Sequence, residues 1–453
     1  MRKSVMAVVL VVLFAPSAAW PQAKSQNSGV YDELNLFGEA FERIRHDAVD
    51  PVADSKLVDT AITGMLASLD PHAAYLSETE YKALQSKSPN ESASTGLVVT
   101  LEKGQVKVVA PRDGSPAAAA DIKPGDLIFM IDKKPIYDLT LSEVEQKLRG
   151  PVDSEVSLLL RRGTSAPITV KLKRVAANFP SVTHRLEASD IGYIRLAGFD
   201  ASTAGDLAAA VSDLRAQAGN KLVGFILDLR NNPGGDFNAA VAAADAFIDK
   251  GDITVVKNRK TDDVKRIAAT PGDLAKGQPI VALVNGGTAG EAELVAGALE
   301  DNKRAILLGS KTFGESAIET LIPLNGNGAI RLTTARFTTP EGHAIQGKGL
   351  EPDIAVSPLK LEKVAEADRL READLRGALK NPDTPPKAAG APAADAKTPE
   401  KPASGKPAAA TTPKTVAATV ASGDIGTTSD EQLSEAIDVL RGLAVVSGQA
   451  AAR

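Results

Sequence analysis

With 453 residues, 43% of them hydrophobic, the chain is long enough for about three domains, each with its own core. Its 52 basic and 57 acidic residues give a net charge of −5, which argues against nucleic acid as a partner. The absence of cysteine removes disulfides, thiolate nucleophiles, iron–sulfur clusters and cysteine-ligated zinc, and leaves histidine chemistry to His46, His72, His184 and His343.

Residues 1–23 read as a secretory signal peptide. Arg2 and Lys3 supply the positive start, Val5 to Phe14 the apolar run, and Ser17-Ala18-Ala19 the small residues before cleavage. The run is shorter than the roughly 20 apolar residues that span a bilayer. The expected address is the periplasm, in solution or peripheral to the inner membrane.

Residues 28–90 form an N-terminal helical region. Leu34, Phe37, Phe41 and Ile44 recur at helical spacing, as do Leu57, Ala61, Met65 and Leu69. Asp70-Pro71 stops the second helix, and His72 follows as a packed or capping histidine of a helical hairpin.

From 92 to 175 the pattern turns to short β-branched strands, with one helix capped by Thr140 and Glu143. Gly114-Ser115-Pro116-Ala117 and Ile122-Lys123-Pro124-Gly125-Asp126-Leu127-Ile128 resemble a PDZ domain of the bacterial protease type. Such a domain implies capture of an extended peptide C-terminus at a sheet edge. The matching loop and strand are Thr95, Gly96, Leu97 and Val99, with Val144 and Leu148 of the helix as pocket walls or plain core.

Residues 179–358 alternate strand and helix patterns. Val223 to Asp228 is a continuous apolar run, which suits a strand covered on both faces. Asp228 to Gly235 is a tight glycine turn into an alanine-rich helix, a place where backbone N–H groups can face a cleft and hold an anion. A helical extension (359–379) and a Pro/Ala/Lys-rich linker (380–427) follow. The linker carries eight prolines between Lys380 and Pro413 and cannot bury a core. Ser429-Asp430-Glu431-Gln432 then reads as a capping box opening an amphipathic helix (429–446), with Leu433, Ile437 and Leu440 on the face expected to dock back on the chain.

Five motifs in order carry a second resemblance. They are Gly64 to His72, the PDZ segment, Asp228 to Gly235, Arg331 to Arg336, and Gly347 to Asp353. On them the chain is identified as a member of the carboxyl-terminal processing (tail-specific) serine peptidases. The fold expected is α/β (α+β overall): a peptidase core of interleaved strands and helices, an inserted PDZ domain and an N-terminal helical bundle.

The resemblance implies a serine–lysine dyad assisted by a glutamine, with an oxyanion site built from the glycine turn and the amide beside the serine. The matching positions here are Gly290 for the serine, Glu315 for the lysine and Glu319 for the glutamine, with Gly234, Gly235 and Glu291 at the oxyanion site. The separation of 290 from 315 equals the family's serine-to-lysine spacing, so a slipped register does not explain the mismatch. Glycine offers no nucleophilic atom. Thr288 or Ser316 could replace the serine only if a base such as Lys311 came within hydrogen-bond reach. Glu291, Glu293, Glu315 and Glu319 also raise the idea of a divalent-cation site, but Glu293 matches a family glutamate that needs no metal. No metal and no cofactor are expected.

Three functions compete on these residues: a non-hydrolytic peptide-binding pseudopeptidase or regulator, an active serine-type endopeptidase with another nucleophile, and a scaffold with a vestigial groove. The expected partners are unfolded or C-terminal segments of envelope proteins, with an active paralogue or cell-wall enzymes as further candidates.

Overall fold

The computed structural model describes residues 27–85, 93–176, 179–259, 264–326, 328–357, 425–427 and 430–446. The expected signal-peptide segment, the expected extension 359–379 and nearly all of the expected linker lie outside the described residues.

Residues up to Met65 form one unit and those from Leu66 onward another. The first carries α1 (Asn27–Asp47) and most of α2 (Asp54–Ala67). The expected periodicity gives helices, but Leu34, Phe37 and Ile44 stand exposed rather than buried.

In the second unit the helical pattern expected across 28–90 is interrupted. Pro71 ends the helical run, and Asp70 Oδ1 accepts the N–H groups of His72 and Ala73, both at 2.9 Å, in a turn. The chain then enters β1 (Ala74–Leu76), which pairs antiparallel with 329–331, before α3 (Glu78–Gln85). Tertiary pairing overrides local pattern here.

The PDZ segment folds as β2 (Ala93–Ser94), β3 (Leu97–Glu102), β4 (Gln105–Pro111), α4 (Pro116–Ala119), β5 (Leu127–Ile131), β6 (Lys134–Pro135), α5 (Leu141–Leu148), β7 (Glu155–Arg161), β8 (Ile168–Lys173) and β9 (Val175–Ala176). Its sheet runs β3-β4-β5-β7-β8, with β6 on β5 and β2 paired to β9. The expected Thr140–Glu143 signal holds as a reciprocal capping box on α5, and Ser115 caps α4 with Pro116 in its first turn.

The remaining elements are β10 (Val182–Glu187), β11 (Ile191–Leu196), α6 (Thr203–Ala218), β12 (Gly224–Asp228), α7 (Phe237–Asp245), β13 (Asp252–Asn258), β14 (Val264–Ala268), β15 (Ile280–Val284), α8 (Glu291–Asp301), β16 (Ile306–Gly309), β17 (Ala317–Pro323), β18 (Ala329–Thr338), β19 (Ile354–Ala355) and α9 (Glu431–Val446). The central sheet is ordered β10-β11-β12-β15-β16-β19 and is parallel except for β10. Phe225 and Leu227 of β12 face the cluster built by α6, α7 and α8, whereas Ile226 faces Leu433, Ala436 and Leu440 of α9. Both faces are thus covered, which is why β12 is an unbroken apolar run. A second sheet, β1-β18-β13-β14 with β17 on β18, carries the residues around Glu319.

The final helix docks back as expected. Ser429, the expected start of its capping box, lies outside the described residues, and Asp430 accepts the N–H of Leu433 at 3.1 Å. Gln432 does not close a box; its amide donates to Val356 O and its carbonyl accepts from Arg230. Burying Leu433 and Leu440 stabilises the docked helix by about 2 kcal/mol each.

Candidate functional site

The glycine turn follows β12 directly. Asp228 at its start is fully buried, and burial works against its charge. Arg230 and Arg195, together with bonds from Arg230 and Tyr193, nevertheless hold its carboxyl down at about 2. Asn232 Oδ1 accepts Gly234 N–H at 2.9 Å while its amide donates to Leu196 O at 2.9 Å. Asn285, after β15, accepts the N–H groups of Asn231 and Gly287 and donates to Asn231 Oδ1. These bonds knit the turn to the 285–290 loop.

That loop ends at Gly290, the residue preceding α8, with φ +56° and ψ −128°. A Cβ there would meet Pro233 O at 3.5 Å and Gly234 Cα at 3.8 Å, so space exists; the backbone conformation is the obstacle to an L side chain. The position lies on a sharp strand-to-helix turn, the geometry in which a nucleophile is lifted above a sheet.

Glu291, the first residue of α8, turns its side chain back over the glycine turn. Its Oε2 accepts Gly235 N–H at 3.0 Å, and its own backbone N–H also bonds the carboxylate. A Cβ on Gly234 would lie 2.4 Å from Oε2, so the carboxylate sits against the turn. Burial pushes this carboxyl up to about 7. The two amide bonds oppose that rise, and the charges of Glu315 and Glu319 add to it. Gly234, Gly235 and Glu291, grouped by motif order in the sequence, lie together here, and the direction of the Glu291 side chain leaves no signal in the sequence.

Glu293, two residues further and fully buried, braces the next loop. It accepts the Thr312 hydroxyl, Gly314 N–H at 2.9 Å and Glu315 N–H at 2.8 Å. Burial still outweighs these three bonds and raises it to about 7. Its role is to hold the backbone that presents Glu315.

Glu315 and Glu319 converge on one histidine. His72 Nε2 lies 3.3 Å from Glu315 Oε1 and its Nδ1 lies 3.4 Å from Glu319 Oε1. Arg331 Nε approaches Glu319 Oε2 at 3.4 Å and donates to His72 O at 3.1 Å, and its guanidinium also reaches Glu145. Burial raises both carboxyls. His72 opposes the rise at each, Arg331 opposes it more strongly at Glu319, and Glu319 adds to the rise at Glu315. His72 is therefore part of the site, a correction to its reading as a packed or capping residue. The only sequence signal was its place after Asp70-Pro71, a turn that gives no hint of a partner some 240 residues away.

A cavity of about 370 Å³ opens beside Glu315. His72, Phe313 and Gln346 line its core side, and Leu101 and Lys107 of the β3–β4 hairpin line the other. The peptide-binding candidates in the PDZ domain divide by burial. Leu97 is half-buried, whereas Thr95, Gly96, Val99, Val144 and Leu148 are buried, and Val99, Val144 and Leu148 belong to the PDZ core. Ser115 packs so closely on Gly96 that a Cβ there would lie 2.1 Å from it, which requires glycine at φ +78°.

The substitute nucleophiles are otherwise engaged. Thr288 is fully buried, its hydroxyl donating to Leu229 O at 2.9 Å and accepting from Asn285 N. Ser316 is buried against Gln346. Lys311 pairs with Glu351 at 2.6 Å on the surface. Nor do the four glutamates form one ligand set. Among the described residues, the grouping with metal-ligand spacing is Asp301, Glu341 and His343, at the far end of α8.

Family comparison agrees with this architecture. Residues 190–356 match the model of peptidase family S41, 107–162 that of a PDZ domain, and 14–80 that of the N-terminal domain of the activating protease CtpB. The chain is 41% identical over 394 residues to a carboxy-terminal-processing protease of Bartonella bacilliformis, covering 86% of this chain and 91% of that protein. It is 37% identical over 314 residues to a carboxyl-terminal-processing protease of Synechocystis, covering 68% and 72% respectively. Among solved structures it resembles the photosystem II D1 C-terminal processing protease, at 30% identity and a TM-score of 0.61, over 72% of this chain and 93% of that one. The fold and site thus define a serine-peptidase scaffold with an inserted PDZ domain. The chain belongs to the carboxyl-terminal processing peptidases of family S41.

Proposed function

We propose that this protein is a non-hydrolytic member of its family, an exported binder of peptide C-termini or of protein partners. One observation carries the reading. The head of α8 and the stretch 312–319 carry Gly290, Glu315 and Glu319, which fall where the family implies a serine, a lysine and a glutamine, and the two glutamates meet at His72. A glycine cannot attack a carbonyl, and removing the nucleophile of a catalytic set costs peptidases several orders of magnitude in rate. The burial and engagement of Thr288 and Ser316 further support it.

The PDZ fold supports recognition of extended C-terminal segments, with unfolded envelope proteins as the partner class and an active paralogue or a cell-wall enzyme as further partners. Export to the periplasm rests on the 1–23 segment. Among the described residues no helix is long and apolar enough to cross a membrane.

The test uses purified protein and a fluorogenic peptide ending in apolar residues. Saturable binding by anisotropy with no release of product is expected. The alternative, an endopeptidase with another nucleophile, predicts cleavage that Thr288→Ala or Ser316→Ala abolishes.

A further inference from the structure

We infer that Glu291 is a resident carboxylate ligand of the glycine turn, filling the place where an entering carbonyl oxygen or carboxylate would take its hydrogen bonds. The inference rests on the proposed function for the identity of the site and adds to it the residue that closes it. Two geometric facts carry the argument. Oε2 accepts Gly235 N–H at 3.0 Å, and the position a Gly234 Cβ would take lies 2.4 Å from that oxygen. The carboxylate thus lies against the turn itself.

The location favours an anion twice over. Glu291 opens α8, a helix of eleven residues, and its own N–H bonds the carboxylate, while the next N–H groups, of Ala292 and Glu293, are taken by Ala289 O and Gly290 O. Gly235 presents its N–H from the opposite side, held in place by the bridge between Phe199 and Gly235. A side chain at the first helical position can fold back onto both amides. Alanine there would leave both open. The ligand class the turn can accept is therefore a carboxylate or another planar or tetrahedral oxyanion, and such a group must displace Glu291 to enter.

The groups acting on Glu291 are the carboxylates of Glu315 and Glu319, which raise its proton affinity, and the two amides, which lower it. His72 lies between those two glutamates. Full-length protein labelled with ¹⁵N tests the inference through the Gly235 amide resonance between pH 5 and 9. In the wild type the resonance is expected to follow a titration with a midpoint near the Glu291 value of about 7, and Glu291→Gln is expected to abolish it. A resonance that does not move, or a titration that persists in Glu291→Gln and so belongs to Glu315, Glu319 or His72, overturns the inference. A second arm uses acetate at pH 8. Acetate should bind saturably to Glu291→Ala and return the Gly235 resonance toward its wild-type position, while leaving the wild type unmoved. An equal acetate response in both proteins, or none in the variant, also overturns it. Peptide hydrolysis by the wild type would sink the non-hydrolytic reading without altering these resonances, so the two can fail separately.

Discussion

Arg230 of the glycine turn and Asp430 at the head of the final helix form a fully buried ion pair, 2.7 Å from Nη2 to Oδ2, although 200 residues separate them. The same guanidinium bonds Asp228 through Nε at 2.9 Å and Gln432 through Nη1 at 3.0 Å. Asp430→Ala leaves a buried arginine with one carboxylate fewer and should destabilise the protein by about 3–5 kcal/mol. Asp430→Asn, which can still accept a hydrogen bond, should cost less. Urea unfolding of the two variants checks this, and equal stability of Asp430→Ala and wild type would remove α9 from the structural core.

Much of the scaffold was legible because its signals are local. The Thr140–Glu143 capping box and the apolar run of β12 each depend on neighbours in sequence. The positions Gly234, Gly235, Gly290 and Glu291 were legible through motif order. Three things were not. β1 is a strand only because β18 pairs with it; His72 meets Glu315 and Glu319 only through that same pairing and that of β17 with β18; and the Glu291 side chain chooses its direction from the amides it finds. Non-local pairing and rotamer choice leave no periodicity to read.

Stability should depend on pH in an unusual direction. Glu293 is fully buried, and its carboxyl is raised from about 4.5 to about 7. A carboxyl raised on folding carries no penalty below its unfolded value, and the penalty grows as pH climbs toward the folded value. That makes on the order of 3 kcal/mol destabilising at pH 8 relative to pH 4.5. Glu291 is raised to about 7 as well and acts in the same sense. Guanidinium unfolding at pH 8 and pH 6 should therefore show greater stability at pH 6, and Glu293→Gln should flatten the difference. Lower stability at pH 6 would contradict the burial argument.

Burial dictates how the PDZ groove should be probed. Val144 is fully buried in the PDZ core, so Val144→Asp should cost about 3–5 kcal/mol and unfold the domain rather than weaken a ligand alone. Leu97 is half-buried on β3, the strand that the proposed function offers to a peptide, and packs at the margin of the PDZ core, so Leu97→Asp should lower peptide affinity roughly tenfold at a smaller stability cost than Val144→Asp. Calorimetry with thermal denaturation on both variants separates the effects. Unchanged affinity in folded Leu97→Asp would place peptide recognition elsewhere.

On the proposed non-hydrolytic reading, introducing the serine, lysine and glutamine that the family implies should not be enough for full hydrolysis. Gly290→Ser finds room against Pro233 O but must adopt the left-handed backbone there, at a cost of about 1–2 kcal/mol. Glu315→Lys enters a site where burial already disfavours charge, which is the condition for a neutral lysine base. Glu319→Gln completes the set. With Glu291 in place, however, the Gly235 amide is still bonded to a carboxylate and cannot serve a developing oxyanion. The triple variant should therefore cleave a fluorogenic peptide at least about 100-fold more slowly than the quadruple variant that also carries Glu291→Ala, the scale of losing an oxyanion donor. Equal rates in two active variants would mean that the Glu291 side chain swings clear of the turn when substrate enters.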